Sequence, residues 1–174
     1  MKKLFLSCLA ALCLPLLSFA QNAPAPAADA FKGPDLEYVC QLLVKCGPAY
    51  TVGQTAHGVR TIIPIIGGTF EGPNMKGEVL SGGADYQLVD REKGRNEVEA
   101  IYTIKTDDGV YIHIRNCGLI YMKGNDGATG FYFRTAPKFE APSDSKYDWL
   151  NNAIFVCVPS MVDGFIALKV WKVL

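Results

Sequence analysis

Histidine is scarce in this chain: His57 and His113 are the only two in 174 residues, and no two cysteines stand in Cys-x-x-Cys spacing. Zinc sites draw their ligands from such clusters, so zinc chemistry finds no support and no metal is called for. Blocks of one charge are missing too. The 17 Lys and Arg are scattered among 17 Asp and Glu, and without a concentrated basic face there is no footprint for nucleic acid or an anionic membrane. No Gly-Lys-Ser/Thr follows a glycine loop, no Gly-x-Gly-x-x-Gly opens a helix, and no serine sits in a Gly-x-Ser-x-Gly elbow. Those absences remove phosphate loops, dinucleotide folds and nucleophile elbows, and no cofactor is called for.

A long apolar run occurs once. Met1-Lys2-Lys3 is basic, Leu4 to Leu17 is apolar apart from Ser7 and Pro15, and Ser18-Phe19-Ala20 offers small residues where a signal peptidase reads. The run falls short of the roughly 20 residues a spanning helix needs. Residues 1–20 therefore read as a signal peptide cut after Ala20, which places the mature protein in the periplasm or outside the cell with no membrane span. Without Lys2 and Lys3 the balance is 15 basic against 17 acidic side chains, a net charge near −2. Residues 21–30, QNAPAPAADA, read as a disordered Ala/Pro tether. The remainder, 31–174, is the size of one ordinary domain.

Four cysteines survive such processing: Cys40, Cys46, Cys117 and Cys157. Cys40 and Cys46 on one strand would stand roughly 20 Å apart, too far to bridge each other, so a bridge would have to run to Cys117 or Cys157. Buried free thiols, packed as small apolar residues, are the equal alternative.

β signals fill the rest. Segments 36–46, 60–66, 77–80, 85–89, 98–106, 110–116, 130–135, 153–158 and 165–173 all read as strands, separated by Gly-Pro, Gly-Gly and Asp-Gly punctuation. Asp107-Asp108-Gly109 is the clearest hairpin turn. One short helix is expected over 144–152, with Asp144 as its N-cap. About nine short strands with a single brief helix predict an all-β fold. Glycines between 67 and 83, at positions where a curled sheet must bend, favour one closed antiparallel β-barrel over a sandwich.

Four ordered stretches carry a family resemblance: RTIIPIIGGTFEGPNMKGEVLSGGADYQL, YTIKTDDGVYIHIRNCG, YFRTAPKFEAPSDSKYDWLNNAIFV and IALKVWKV. Together they resemble the domain-of-unknown-function family 3237, also known as the UPF 0311 family, over nearly all of the mature domain. The resemblance implies a barrel shaped like those of allene oxide cyclases and dirigent proteins, and ring-forming steps on small organic molecules. The chain departs from the family pattern at Tyr86, where tryptophan is common, and at Cys117 and Cys157. Two unusual cysteines in one exported member make Cys117–Cys157 the disulfide that the resemblance favours.

Strand alternation, reinforced by the family motifs, proposes the pocket. Asp85 and Gln87 share one face of their strand, and Tyr132 and Arg134 one face of theirs. Asp85, Glu140 and Arg134 are the catalytic candidates, either carboxyl serving as general acid or base and Arg134 stabilising an oxyanion. Gln87, Asn116 and Tyr132 are the ligand-binding candidates, with Tyr102 and His57 as second choices. The plain structural counterparts are ion pairs of Asp85 and Glu140 with Arg134 or Arg115, and a turn role for Asn116. The expected partner is a small hydrophobic or aromatic molecule, and a homo-oligomer is admitted. Two functions fit, a cofactor-free isomerase or cyclase and a non-catalytic binding module for the same kind of molecule.

Overall fold

A computed structural model describes residues 32–124 and 130–174. The expected signal peptide and tether lie outside the described residues. From Pro34 onward the chain winds into ten strands: β1 Leu36–Cys46, β2 Tyr50–Thr55, β3 Gly58–Gly72, β4 Met75–Val79, β5 Gly83–Asp90, β6 Arg95–Thr106, β7 Tyr111–Tyr121, β8 Tyr132–Glu140, β9 Phe155–Val162 and β10 Phe165–Val173. A short 3-10 helix, Asp148–Asn152, precedes β9.

The strands close into an antiparallel barrel with eight positions around its wall. Pairing runs β1-β10-β9-β8-β7-β6, then through β4 or β5 to β3 and back to β1. β4 and β5 share the place between β3 and β6, because β3 is 15 residues long and pairs β5 along its first half and β4 along its second. β2 and β1 divide the other edge of β3 in the same way. At the bend in β3, Gly68 has φ +141°, and a side chain there would run into the carbonyl of Leu43. The Gly67-Gly68 pair is therefore a bend inside a strand rather than a turn.

Alternation sorts the wall into two faces. On β6, Val98, Ala100, Tyr102, Ile104 and Thr106 point inward while Glu97, Glu99 and Lys105 point out; on β7, Ile112, Ile114 and Asn116 point inward while His113, Arg115 and Cys117 point out. The inward set is β-branched or aromatic at nearly every step, the composition that suits a pleated surface with one dry side. One end of the barrel is solid. Phe139 packs edge-on against Phe155, with ring centroids 4.9 Å apart, and Tyr147 and Leu150 from the 3-10 segment are buried over them. Asp108, in the turn that joins β6 to β7, locks this plug by accepting a hydrogen bond from Tyr147 Oη at 2.8 Å and pairing with Lys146 Nζ at 2.9 Å.

Helix expectations are corrected here. Only a 3-10 segment forms, beginning after Tyr147 with no side-chain cap, and Asp144 plays no capping part. The expected Asp107-Asp108-Gly109 hairpin turn is present, with Gly109 at φ +87°.

Candidate active site

The open end of the barrel holds a cavity of about 60 Å³, lined by Asp85, Asn116, Thr135, Tyr102, Cys46 and Phe133 among others. Its floor follows from register. Asp85 pairs with Ala100 and Ala100 pairs with Asn116, so a carboxyl and an amide flank a methyl group in one row across β5, β6 and β7. Ala100 is small enough to leave the space between them. One row nearer the mouth, Gly118 faces Thr135, and a side chain on Gly118 would occupy the place of the Thr135 methyl.

Asp85 is held but not neutralised. Gln87 Nε2 donates to its Oδ2 at 2.7 Å and the Glu99 N–H donates to its Oδ1 at 3.1 Å. Among the described residues no cation pairs with it; Arg115, the expected rival partner, binds Glu99 on the outer face. Burial raises the Asp85 carboxyl above its ordinary value, and the two hydrogen bonds offset only part of that shift. The same burial raises the Cys46 thiol, with the Asp85 charge adding to it, and keeps Tyr102 protonated.

Two polar atoms face this space without a protein hydrogen bond, Asn116 Oδ1 and Thr135 Oγ1, on residues only 4% and 6% exposed. Thr135 stands beside the Cys157 thiol, where its hydroxyl eases thiol ionisation without forming a bond of ordinary geometry. Buried polar groups are nearly always paired, and an unpaired one costs about 1–3 kcal/mol. Two of them converging with a cation-free carboxylate describe a polar corner shaped for something that brings hydrogen-bonding groups of its own.

The structure brings Asp85, Gln87, Asn116 and Tyr102 to the barrel interior. Asn116 is an inward mid-strand residue, not a turn. The other candidates lie elsewhere. Tyr132 and Arg134 point to the outer face, where the guanidinium stands 5.5 Å over the tyrosine ring, and Glu140 is exposed outside at the far end of β8. The expectation of a polar inner face on β8 chose the wrong side: the inward residues are Phe133, Thr135, Pro137 and Phe139. His57 sits exposed in the β2–β3 turn. Thr135 and Cys46 are pocket residues with polar or titratable groups that the sequence candidates leave out, beside apolar ones such as Phe133 and Val98, and Thr135 follows from placing Phe133 inside.

The disulfide favoured by resemblance is not formed. All four cysteines are free, with Cys117 on the outer face of β7 and Cys157 buried on the inner face of β9, so the wall separates them. Burial pushes the Cys40 and Cys157 thiols up to about 12, and they pack as small apolar side chains.

A family profile described as "Protein of unknown function (DUF3237)" matches residues 34–173, the whole barrel. The chain belongs to the DUF3237 family. A UPF0311 protein of Clostridium acetobutylicum is 40% identical over 126 residues, covering 67% of this chain and 78% of its own. The crystal structure of a conserved protein of unknown function from Rhodopseudomonas palustris superposes with a TM-score of 0.74 at 31% identity, covering 82% of this chain and 99% of that one. A hydroalkoxylation enzyme of Penicillium herquei is 27% identical over 164 residues, covering 91% of this chain and 96% of its own. Among the described residues of this DUF3237 barrel, no helix is long and apolar enough to cross a membrane.

Proposed function

We propose that this barrel is a cofactor-free acid–base catalyst acting on a small, largely apolar molecule that carries a hydroxyl group, with Asp85 as the group that gives and takes the proton. The observation that carries the reading is Asp85 itself, a carboxyl raised by burial and left without a cation, beside the unpaired oxygens of Asn116 and Thr135. A carboxyl raised in this way exchanges protons nearer to neutral pH than an exposed one, which is what general acid–base catalysis needs.

The Penicillium herquei relative supports a reaction class. Hydroalkoxylation adds the O–H of an alcohol across a carbon–carbon double bond. On this chain protonated Asp85 would give its proton to one alkene carbon as the π bond breaks. The hydroxyl oxygen would form the new C–O bond at the other carbon, and its proton would return to the Asp85 carboxylate. Nothing is oxidised or reduced, and the carboxyl ends as it began. Asn116 Oδ1 and Thr135 Oγ1, which lack a protein partner, would orient the hydroxyl, with Phe133 and Val98 as apolar neighbours.

A 2-alkenylphenol tests this, its ring closure being read by loss of phenol absorbance. Asp85→Asn should lower turnover by about 10²- to 10⁴-fold, the usual worth of a general acid–base group, while retaining binding. Turnover unchanged in Asp85→Asn would overturn the assignment. Binding without turnover in the unsubstituted protein would leave a binding module.

The same reading places the working protein in the periplasm or outside the cell, supported by the basic, apolar and small-residue order of Met1 to Ala20. N-terminal sequencing of the mature protein should begin at Gln21, and a chain retaining Met1 would contradict export by cleavage.

A further inference from the structure

Among the described residues, β8 and β9 share the fewest ladder pairs of any neighbours in the wall. β7 and β8 ladder from His113↔Glu140 to Tyr121↔Tyr132, and β9 and β10 from Phe155↔Lys172 to Val162↔Phe165, yet β8 and β9 meet at a single pair, Thr135↔Cys157. Outside this seam lies a groove of about 370 Å³ lined by Leu36, Tyr132, Arg134, Val156, Val158 and Trp171, with Thr135 and Cys157 between them. Thr135 lines the inner cavity as well. One residue of the single bridging pair therefore borders both the polar corner inside and the apolar groove outside.

Size makes that continuity matter. Small-molecule pockets run to about 300–1,000 Å³, whereas the inner cavity is about 60 Å³ and holds the reacting corner of a molecule only. The rest of the molecule must lie elsewhere. A recess of about 510 Å³ at the rim is lined by Asp90, Arg91, Glu92, Arg95 and Glu97, and an apolar chain laid there would strip water from charged groups. The seam groove is mostly aliphatic and aromatic, Arg134 being the one charged side chain among its lining residues.

We propose that the ligand is an amphiphile whose hydroxyl-bearing head sits at Asp85, Asn116 and Thr135, and whose apolar tail leaves the barrel through the β8–β9 seam into the Leu36, Val156, Val158 and Trp171 groove. This rests on the function proposed above. The seam opens on the open-end side of the Thr135↔Cys157 bridge, the one ladder pair between the two strands, while the Phe139–Phe155 contact holds β8 to β9 at the closed end, and burial of the tail in the groove offsets the opening.

The test uses phenol and 4-(8-bromooctyl)phenol, the bromine quenching nearby tryptophan fluorescence. The bromooctyl compound should bind at least tenfold tighter than phenol, quench the protein, and lose that quench in Trp171→Phe; phenol should bind without quenching. A double variant, Arg134→Cys with Val158→Cys, places thiols one residue from the bridge on each strand so that oxidation staples the seam. Oxidised, it should lose the tenfold advantage of the tail and keep phenol binding; reduced, it should regain the advantage. Equal affinity of the two compounds, a quench that persists in Trp171→Phe, or a stapled seam that binds the tail unchanged would overturn the tail route while leaving the pocket intact. Phenol binding that Asp85→Asn leaves untouched in both affinity and pH dependence would instead fail the pocket, and this inference with it.

Discussion

Burial raises the Asp85 carboxyl while Gln87 Nε2 and the Glu99 N–H draw it back only in part, so the ionised side chain is a net burden on the folded state. Its folded pKa lies above its unfolded one. Stability contributed by such a group is full below the unfolded pKa and lost as pH rises through the folded one. Asp85→Asn keeps an acceptor for Glu99 and removes the charge, so it should melt higher than the parent at pH 7, with the gap closing as pH falls below about 4, the ordinary carboxylate value. Thermal melts across that range check it, and a variant less stable at pH 7 would contradict it. Thr135 makes the same point without charge. Thr135→Val exchanges an unpaired buried hydroxyl for a methyl of the same shape and should be neutral or stabilising by about 1 kcal/mol in denaturant unfolding, while weakening phenol binding. A residue whose removal strengthens the fold and weakens the site is retained for the site.

At the scale of elements, legibility in the sequence follows the strength of alternation. β1 and β10 have the bounds that their patterns predict, and β6 and β7 differ from prediction at their open-end extensions. β2, YTVGQT, carries no legible strand pattern because it is short, largely polar and has Gly53 at φ +113° inside it; pairing with β3, not propensity, makes it a strand. β8, predicted over 130–135, forms over Tyr132–Glu140 with its two faces exchanged. A polar lumen would take Tyr132 and Arg134 inward, whereas dry packing claims Phe133 and Phe139, and Thr135 is the single polar side chain of β8 that goes in with them. The 3-10 plug depends on a partner distant in sequence, Asp108, which lies 39 residues from Tyr147. Lys146, Thr106 and Tyr147 hold that carboxyl well below the ordinary range. A depressed pKa contributes stability above the unfolded pKa and loses it as pH falls through the folded one. Asp108→Asn should therefore melt lower than the parent at neutral pH and converge with it in strong acid, as scanning calorimetry would show.

For the whole molecule, one end of the barrel holds the fold and the other is free to do something else. Phe139, Phe155, Tyr147 and Leu150 fill the closed end, while the open end keeps a half-buried acid and two unpaired oxygens that a packing optimum would discard. Family membership, barrel class and the Asp85–Gln87 pairing on one face were all readable from sequence. Which residues share the cavity was not, because inside and outside on each strand are settled by closure of the wall. The central claim is that Asp85 is a raised, ligand-facing carboxyl. Carbon-13 NMR titration of the labelled Asp85 carboxyl, with and without phenol, tests it most directly. The account predicts a midpoint above the ordinary value of about 3.9 that moves when phenol is added; a midpoint at or below that value, indifferent to phenol, would contradict it.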